Sequence, residues 1–203
     1  LGDQVSAEDI VARDGTVLAR GTRAVYIKYH KPVGITTTSE PHVQGNIIAA
    51  INHPERIFPV GRLDKDSSGL ILLTNDGDLV NDILRVEHGH EREYRVEVDR
   101  PFDHAFVERM SRGVMVLGKP TLPCKVWAVG PRRFHIVLPE GRNRQIRRMC
   151  QELGYRVVAL QRIRIMHVTL EGLPVGTWKD LSRDELSELF RAIGRPALKS
   201  SPA

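Results

Sequence analysis

Residues 61–85, GRLDKDSSGLILLTNDGDLVNDILR, pass from a polar, glycine-flanked loop into a strand and then into a helix. Gly69–Thr74 is a short apolar run bounded by polar residues, the pattern of a buried strand. Asn75–Asp78 reads as a turn, and 78–85 as a helix with Asp78 at its N-cap. Outward from this unit, 24–31 (AVYIKYHK) alternates as a strand and is stopped by Pro32 and Gly34. Residues 45–52 predict a short helix. In 93–98 (EYRVEV), Tyr94, Val96 and Val98 face one way, and Arg95 and Glu97 the other. A helix over 103–112 lies between Asp103 and Gly113, and a strand over 134–138 follows. Strands and helices intersperse without βαβ regularity, which predicts a mixed α+β fold.

The helix predicted over 143–153 carries the clearest two-sided pattern. Ile146, Met149, Cys150 and Leu153 fall at i, i+3, i+4 and i+7, a core-facing stripe. Arg144, Arg147, Arg148 and Gln151 repeat that spacing on the opposite side, a comb of guanidiniums, and Gly154 ends the helix. The last helix opens on a capping box, Ser182 to Glu185, and ends near Gly194.

The chain has 203 residues and a formal net charge of +5. Residues 141–164 hold seven arginines against one acid, Glu152, so the rest of the chain is close to neutral. A clustered arginine block is the expected footprint of a nucleic-acid contact. Two cysteines, Cys124 and Cys150, exclude a disulfide framework and a four-thiolate zinc site. No apolar run reaches the roughly 18 residues that span a bilayer, and no signal-peptide pattern opens the chain. The expectation is a soluble, cytoplasmic protein with no membrane partner.

Nucleotide-cofactor chemistry lacks its usual cradle, since neither G-x-x-x-x-G-K-[ST] nor a G-x-G-x-x-G before a helix occurs. Asp64, Asp66, Ser68, Gly69 and Ile71 match part of a calcium loop, but Asn75 stands where a bidentate Glu is required. No metal and no cofactor are therefore expected. Arg62-Leu63-Asp64 remains as the chemical candidate. An aspartate used as a nucleophile must stay ionised in a partly desolvated pocket, and a neighbouring guanidinium opposes the effect of burial.

FPVGRLDKDSSGLILLTNDGDL (58–79), EREYRVEV (91–98) and EGRNRQIRRMCQELGYRV (140–157) together resemble the three successive motifs of the bacterial rRNA pseudouridine synthases. The resemblance extends over roughly 24–193, with no departure from the three motifs. LQRIRIMHVTLEGLPVGTWKDLSRDELSELF (160–190) is most similar to the F-type, large-subunit (23S) branch.

The resemblance implies a mixed, mostly antiparallel sheet with flanking helices around a central catalytic cleft. It also implies isomerisation of a uridine flipped out of rRNA, without cofactor. It gives Asp64 the part of nucleophile, attacking ribose or base, and Arg62 that of the arginine entering the vacated stack. Tyr94 matches the tyrosine against the target base, a candidate for final proton abstraction. Arg147 matches the basic partner of the aspartate. Ile146 matches the aliphatic neighbour of the tyrosine, so its core stripe must border the pocket floor. Arg144, Arg148 and Lys31 are further substrate-binding candidates.

Residues 1–22 read as short strands with turns at Asp14-Gly15 and around Gly21, and resemble the tail of an S4-type RNA-binding module. Residues 23–193 are expected to form the catalytic domain and 194–203 a disordered tail, in a monomer. Three alternatives compete: a non-catalytic RNA-binding or ribosome-assembly module, a metal-dependent RNA hydrolase using Asp64 and Asp66, and a synthase acting on small-subunit rRNA or tRNA.

Overall fold

The computed structural model describes residues 11–13, 16–19, 24–84 and 90–196. Two short strands, β1 (Val11–Arg13) and β2 (Thr16–Ala19), pair antiparallel across Asp14-Gly15. The turn between them, Gly21 and the remainder of the expected S4-like remnant lie outside the described residues.

The main sheet and its helices begin with β3 (Tyr26–Lys31) and the short helix α1 (Ile47–Ile51). Asn46 caps α1 by accepting the Ala49 N–H at 2.9 Å. β4 (Phe58–Pro59), β5 (Ser68–Thr74) and α2 (Gly77–Leu84) follow. The N-cap of α2 differs from expectation. Asp76 accepts the Leu79 N–H at 3.1 Å, and Asp78 lies inside the first turn. Gly77 starts the helix one residue earlier, so the cap moves back with it.

Next come β6 (Arg92–Val98), α3 (His104–Arg112), the hairpin strands β7 (Met115–Val116) and β8 (Lys119–Pro120), then β9 (Lys125–Gly130) and β10 (Arg133–Leu138). α3 keeps its expected signals, with Asp103 accepting from Phe106 N at 2.9 Å and Gly113 at the end. α4 (Gln145–Glu152), β11 (Val157–Ile165), β12 (Val168–Thr169), β13 (Trp178–Asp180) and α5 (Arg183–Ala192) complete the order. The capping box of α5 is formed in both directions.

These strands build one mixed sheet in the order β13-β3-β5-β11-β6-β10-β9, with β4 beside β5 and β12 beside β11. Among these pairings only β5 with β11 is parallel. That junction joins two halves with separate apolar clusters. Val96, Phe106, Phe134, Met149 and Cys150 pack on the β6–β10 side. On the other side, Leu70, Leu79, Ile83 and Leu189 form one cluster, and Ile27, Ile47 and Ile71 another. Cys150 is a core residue, as its place on the apolar stripe predicts, and burial pushes its thiol up to about 12.

β11 is the longest strand among the described residues and lies in mid-sheet, between β5 and β6. At its junction with β5, Gly69 has φ +114 and faces Arg162. An ideal Cβ on Gly69 would stand 2.2 Å from the Arg162 carbonyl oxygen. The crossing therefore requires glycine.

Of the expected disordered tail, residues 194–196 are described, and Arg195 is held in place. The Arg195 guanidinium donates to Asp76 at 2.6 Å and Asp82 at 2.8 Å, a fork that ties the chain to the start of α2. Residues beyond 196 lie outside the described residues. No helix among the described residues is long and apolar enough to cross a membrane.

Gly69→Ala should destabilise the fold by more than about 3 kcal/mol, because neither backbone can yield and φ is left-handed. Urea unfolding measures this; a loss below about 1 kcal/mol would show that the crossing tolerates a side chain.

Candidate active site

A cleft of about 390 Å³ opens where the 61–67 loop meets β6, β11 and the segment entering α4. That volume lies within the range of small-molecule pockets, roughly 300–1,000 Å³, and suits one extruded nucleotide rather than a duplex. Arg62, Asp64, Tyr94, Arg144 and Ile146 all line it. Five side chains spread over 85 residues of sequence thus meet in one concavity.

Asp64 follows Leu63, which is 7% exposed and anchors the loop in the core. Thr37 Oγ1 donates to the Leu63 carbonyl at 2.8 Å and accepts its N–H at 3.3 Å. Ser67 N–H donates to the Asp64 carbonyl at 3.0 Å, and Gly34 N–H to that of Lys65 at 2.7 Å. With its backbone held from three directions, the loop presents the Asp64 carboxylate, 30% exposed, to the cleft.

Two guanidiniums flank that carboxylate. Arg144 Nη1 stands 3.4 Å from Asp64 Oδ2, and Arg147 Nε 4.0 Å from the same oxygen. Neither belongs to Asp64 alone. Arg144 donates to both oxygens of Asp66, at 3.2 and 3.0 Å. Arg147 donates to the Asp66 carbonyl at 2.9 Å and to Ser67 Oγ at 3.2 Å. Asp66 is a bracket between the loop and α4, and the hydrogen bond from Arg144 is the main cause holding its carboxyl below the usual value. Two guanidiniums already stand against Asp64 and Asp66, and their positive charge counts against a hydrolase metal shared by the two carboxylates. Arg144 itself has φ +50, a left-handed conformation for a non-glycine residue at the helix N-terminus.

The expected guanidinium comb on α4 does not stand free. Arg147 is 14% exposed and packed against the loop. Arg148 lies outside the cleft lining and donates to Asn143 O and Oδ1, both at 3.1 Å. Their long side chains satisfy nearby carbonyls instead of projecting into solvent. Lys31, expected at the substrate surface, is 0% exposed and donates to the carbonyls of Pro32 at 2.9 Å and Ile35 at 2.8 Å. Burial pulls its ammonium down to about 8, partly opposed by the charges of Asp64 and Asp66. It stands behind the loop, not beside a ligand.

Ile146 satisfies both demands made of it: 4% exposed, it belongs to the core cluster and lines the cleft. Tyr94, half-buried, packs against the clusters on both sides of the sheet junction. Arg62 is exposed, and among the described residues no carboxylate pairs with it.

Sequence reasoning missed Arg162 and Arg92, which also line the cleft. Arg162 is 3% exposed; its Nε donates to the Leu70 carbonyl at 2.7 Å and its Nη1 reaches the Arg62 carbonyl at 3.5 Å. Its Nη2 has no partner among the described residues. Counting 141–164 as one surface block hid this residue, and strict alternation over 157–165 would also have set it beside Arg164, opposite Ile163 and Ile165; bulges at 157–159 and 162–164 break that period. Glu140, 7% exposed, accepts from Arg142, Gln145 and the Leu122 N–H, each at 3.0 Å, and shapes the opposite wall.

Residues 25–152 match the family described as RNA pseudouridylate synthase. The dual-specificity RNA pseudouridine synthase RluF of Salmonella typhi is 49% identical over the whole chain, which spans 71% of that relative. The ribosomal large subunit pseudouridine synthase B of Bacillus subtilis is 29% identical, covering 93% of this chain and 80% of the relative. A crystal structure of a pseudouridylate synthase superposes with a TM-score of 0.78 at 29% identity, covering 92% of this chain and 83% of that one.

Because its folded value is depressed, the ionised Asp66 stabilises the fold at neutral pH, and that contribution fades as pH falls through the folded value. NMR titration of the Asp66 carboxyl should give a midpoint below 3.8, the ordinary value. In Arg144→Gln the midpoint should move back up; an unchanged midpoint would contradict the bracket.

Proposed function

The chain belongs to the RNA pseudouridylate synthase family, and from that premise we propose that it isomerises a uridine of large-subunit (23S) rRNA, with Asp64 as nucleophile. The observation that carries the assignment of Asp64 is its position: a carboxylate at the cleft edge, 3.4 Å from one guanidinium and 4.0 Å from another, on a loop braced by its backbone. The two guanidiniums set positive charge beside the carboxylate oxygen that would attack.

The reaction cannot begin while the base is stacked. Extrusion costs a few kcal/mol, partly recovered by stacking in the pocket and by a side chain entering the gap. Exposed and without a carboxylate partner, Arg62 is free to enter that gap, whereas Arg144 and Arg147 are tied to the loop. Tyr94 offers its ring to the uracil, with Ile146 closing the floor beneath. Asp64 bonds transiently to the nucleotide, the N1–C1′ bond breaks, and the uracil turns within the cleft. The C5–C1′ bond then forms, the Asp64 bond is released, the C5 proton leaves, with Tyr94 as the proposed base, and N1 takes up one proton in exchange. The same atoms are present before and after, so no redox or phosphoryl donor enters the balance.

Arg92 and Arg162 line the cleft without carboxylate partners and supply positive potential for the backbone phosphates of the extruded nucleotide. Arg144 is proposed to exchange its Asp66 contact for RNA phosphate. Arg148 is proposed to reach the backbone only by releasing Asn143, and Lys31 to act through the 32–35 turn, whose carbonyls it holds.

Large-subunit rRNA is favoured by the Bacillus subtilis relative, a ribosomal large subunit pseudouridine synthase. The dual-specificity relatives favour a second RNA target besides. Residues 23–193 are proposed as the catalytic domain, with residues 1–22 as part of an S4-like RNA-binding module and linker, and the protein as a monomer in the cytoplasm.

Asp64→Asn should abolish pseudouridine formation, at least about 10³-fold, with RNA affinity within roughly threefold of the original. Retained activity would remove Asp64 from the chemistry, and matching loss of affinity would reduce it to a structural part. Pseudouridine mapping of total RNA with and without the gene should lose a site in large-subunit rRNA; loss confined to other RNAs would contradict the substrate.

A further inference from the structure

Two strand pairs, β7–β8 and β11–β12, are joined by two-residue loops whose first residue has positive φ. Such positions favour glycine, asparagine or aspartate, yet these hold Leu117 at φ 51 and Met166 at φ 52. At Met166 the strain has a visible compensation, since the side chain packs against the core cluster of Leu70, Ile165 and Val168. Leu117 has none: its side chain is 74% exposed. A strained backbone that holds an apolar side chain in solvent points to something that side chain meets.

Three further features fix the direction of that contact. The base of the hairpin is rigid, with Val114 and Val116 buried and Thr121 bonded to Val114 through both backbone and side chain, at 2.9 Å each. Its outer strand is clamped to the cleft wall. Arg142, a lining residue, donates to the carbonyls of Lys119 at 3.4 Å and Pro120 at 2.7 Å. Glu140, on the same wall, accepts the Leu122 N–H at 3.0 Å. Finally, Met115 and Leu122 add exposed apolar surface beside the tip, and Lys119 stands exposed next to it. An apolar point on a rigid arm, with a cation at its shoulder and its root in the cleft wall, suits base-paired nucleic acid: the cation meets phosphate while the point enters a base step.

We propose that the β7–β8 hairpin is an RNA-contacting finger, and that Leu117 wedges between stacked bases beside the uridine that enters the cleft. The inference rests on the pseudouridine synthase reading and extends it to how the surrounding RNA is opened. Arg62 fills the gap left by the extruded base, while Leu117 acts from the opposite rim to separate a neighbouring step. Stacking contacts of this kind are individually modest, so the finger lowers the cost of extrusion without taking part in the chemistry.

The test uses substitutions that suit the backbone better than the original. Leu117→Gly and Leu117→Asn both favour positive φ, so each variant of the full-length protein should melt at the same or a higher temperature. Turnover is read on a folded transcript of the large-subunit rRNA and on an unpaired oligonucleotide carrying the same target uridine. The expected result is a fall in kcat/KM of about tenfold on the folded transcript, with turnover of the oligonucleotide unchanged within twofold. Equal turnover of both RNAs by variant and original would overturn the proposal. Equal turnover with an altered sedimentation profile would overturn it in favour of self-association through the tip. If the original protein converts neither RNA, the pseudouridine synthase reading fails first and the wedge with it; a failure of the wedge alone leaves the original active on both.

Discussion

The arrangement of the active loop depends on one close approach, that of Gly69 to Arg162 at the parallel junction of β5 and β11. Only a residue without Cβ lets the two backbones come together there. The same approach brings the buried Arg162 guanidinium onto the carbonyls of Leu70 and Arg62, one after and one before the 61–67 loop. A single cation thus fixes both ends of the segment that carries Asp64. A buried guanidinium is costly to desolvate, so its bonds to the loop cannot be given up without leaving donors stranded. The loop is therefore held by the sheet and not by its own turn chemistry.

Around that joint the electrostatics divide into fixed and available charge. Arg144 and Arg147 bind Asp66 and the loop backbone, Arg164 pairs with Glu91 and Glu93, and Arg148 folds onto Asn143. The arginine block that looks like an RNA face in the sequence is largely an internal frame. The charge proposed to remain for RNA is smaller and better placed: Arg62 at the rim, with Arg92 in the wall. This agrees with recognition of RNA through phosphates and one extruded base, where a few directed donors matter more than a broad field.

Much of this was legible in the sequence because local signals and tertiary structure agree. The apolar run 69–74, the two-sided pattern of 146–153 and the caps at Asp103 and Ser182 each describe an element that forms where expected. The site was legible as three motifs, but not as a geometry. Period and charge assign Arg147 and Arg148 to a solvent face, yet the loop folds over Arg147, and no helical spacing can report what packs on a helix from 80 residues away. Lys31 looked like a surface cation because lysine usually is one; two backbone carbonyls take it inside. The cap of α2 moved from Asp78 to Asp76 because Gly77 admits either start and the bond to Leu79 decides between them. Arg162 escaped notice because the charge block and the strand period both set it on a polar face, and the bulges that break the period appear only in the pairing with β6.

The central claim is that the sheet junction prebuilds the loop carrying Asp64 before any RNA arrives. Amide hydrogen exchange on the free protein tests it most directly. Leu63 N–H, bonded to the buried Thr37 hydroxyl, and Ser67 N–H, bonded to the Asp64 carbonyl, should exchange as slowly as the amides of Leu70 and Leu72 in β5. Exchange of Leu63 and Ser67 at the rate of an open loop, with β5 still protected, would show that the loop is ordered by substrate and not by the fold.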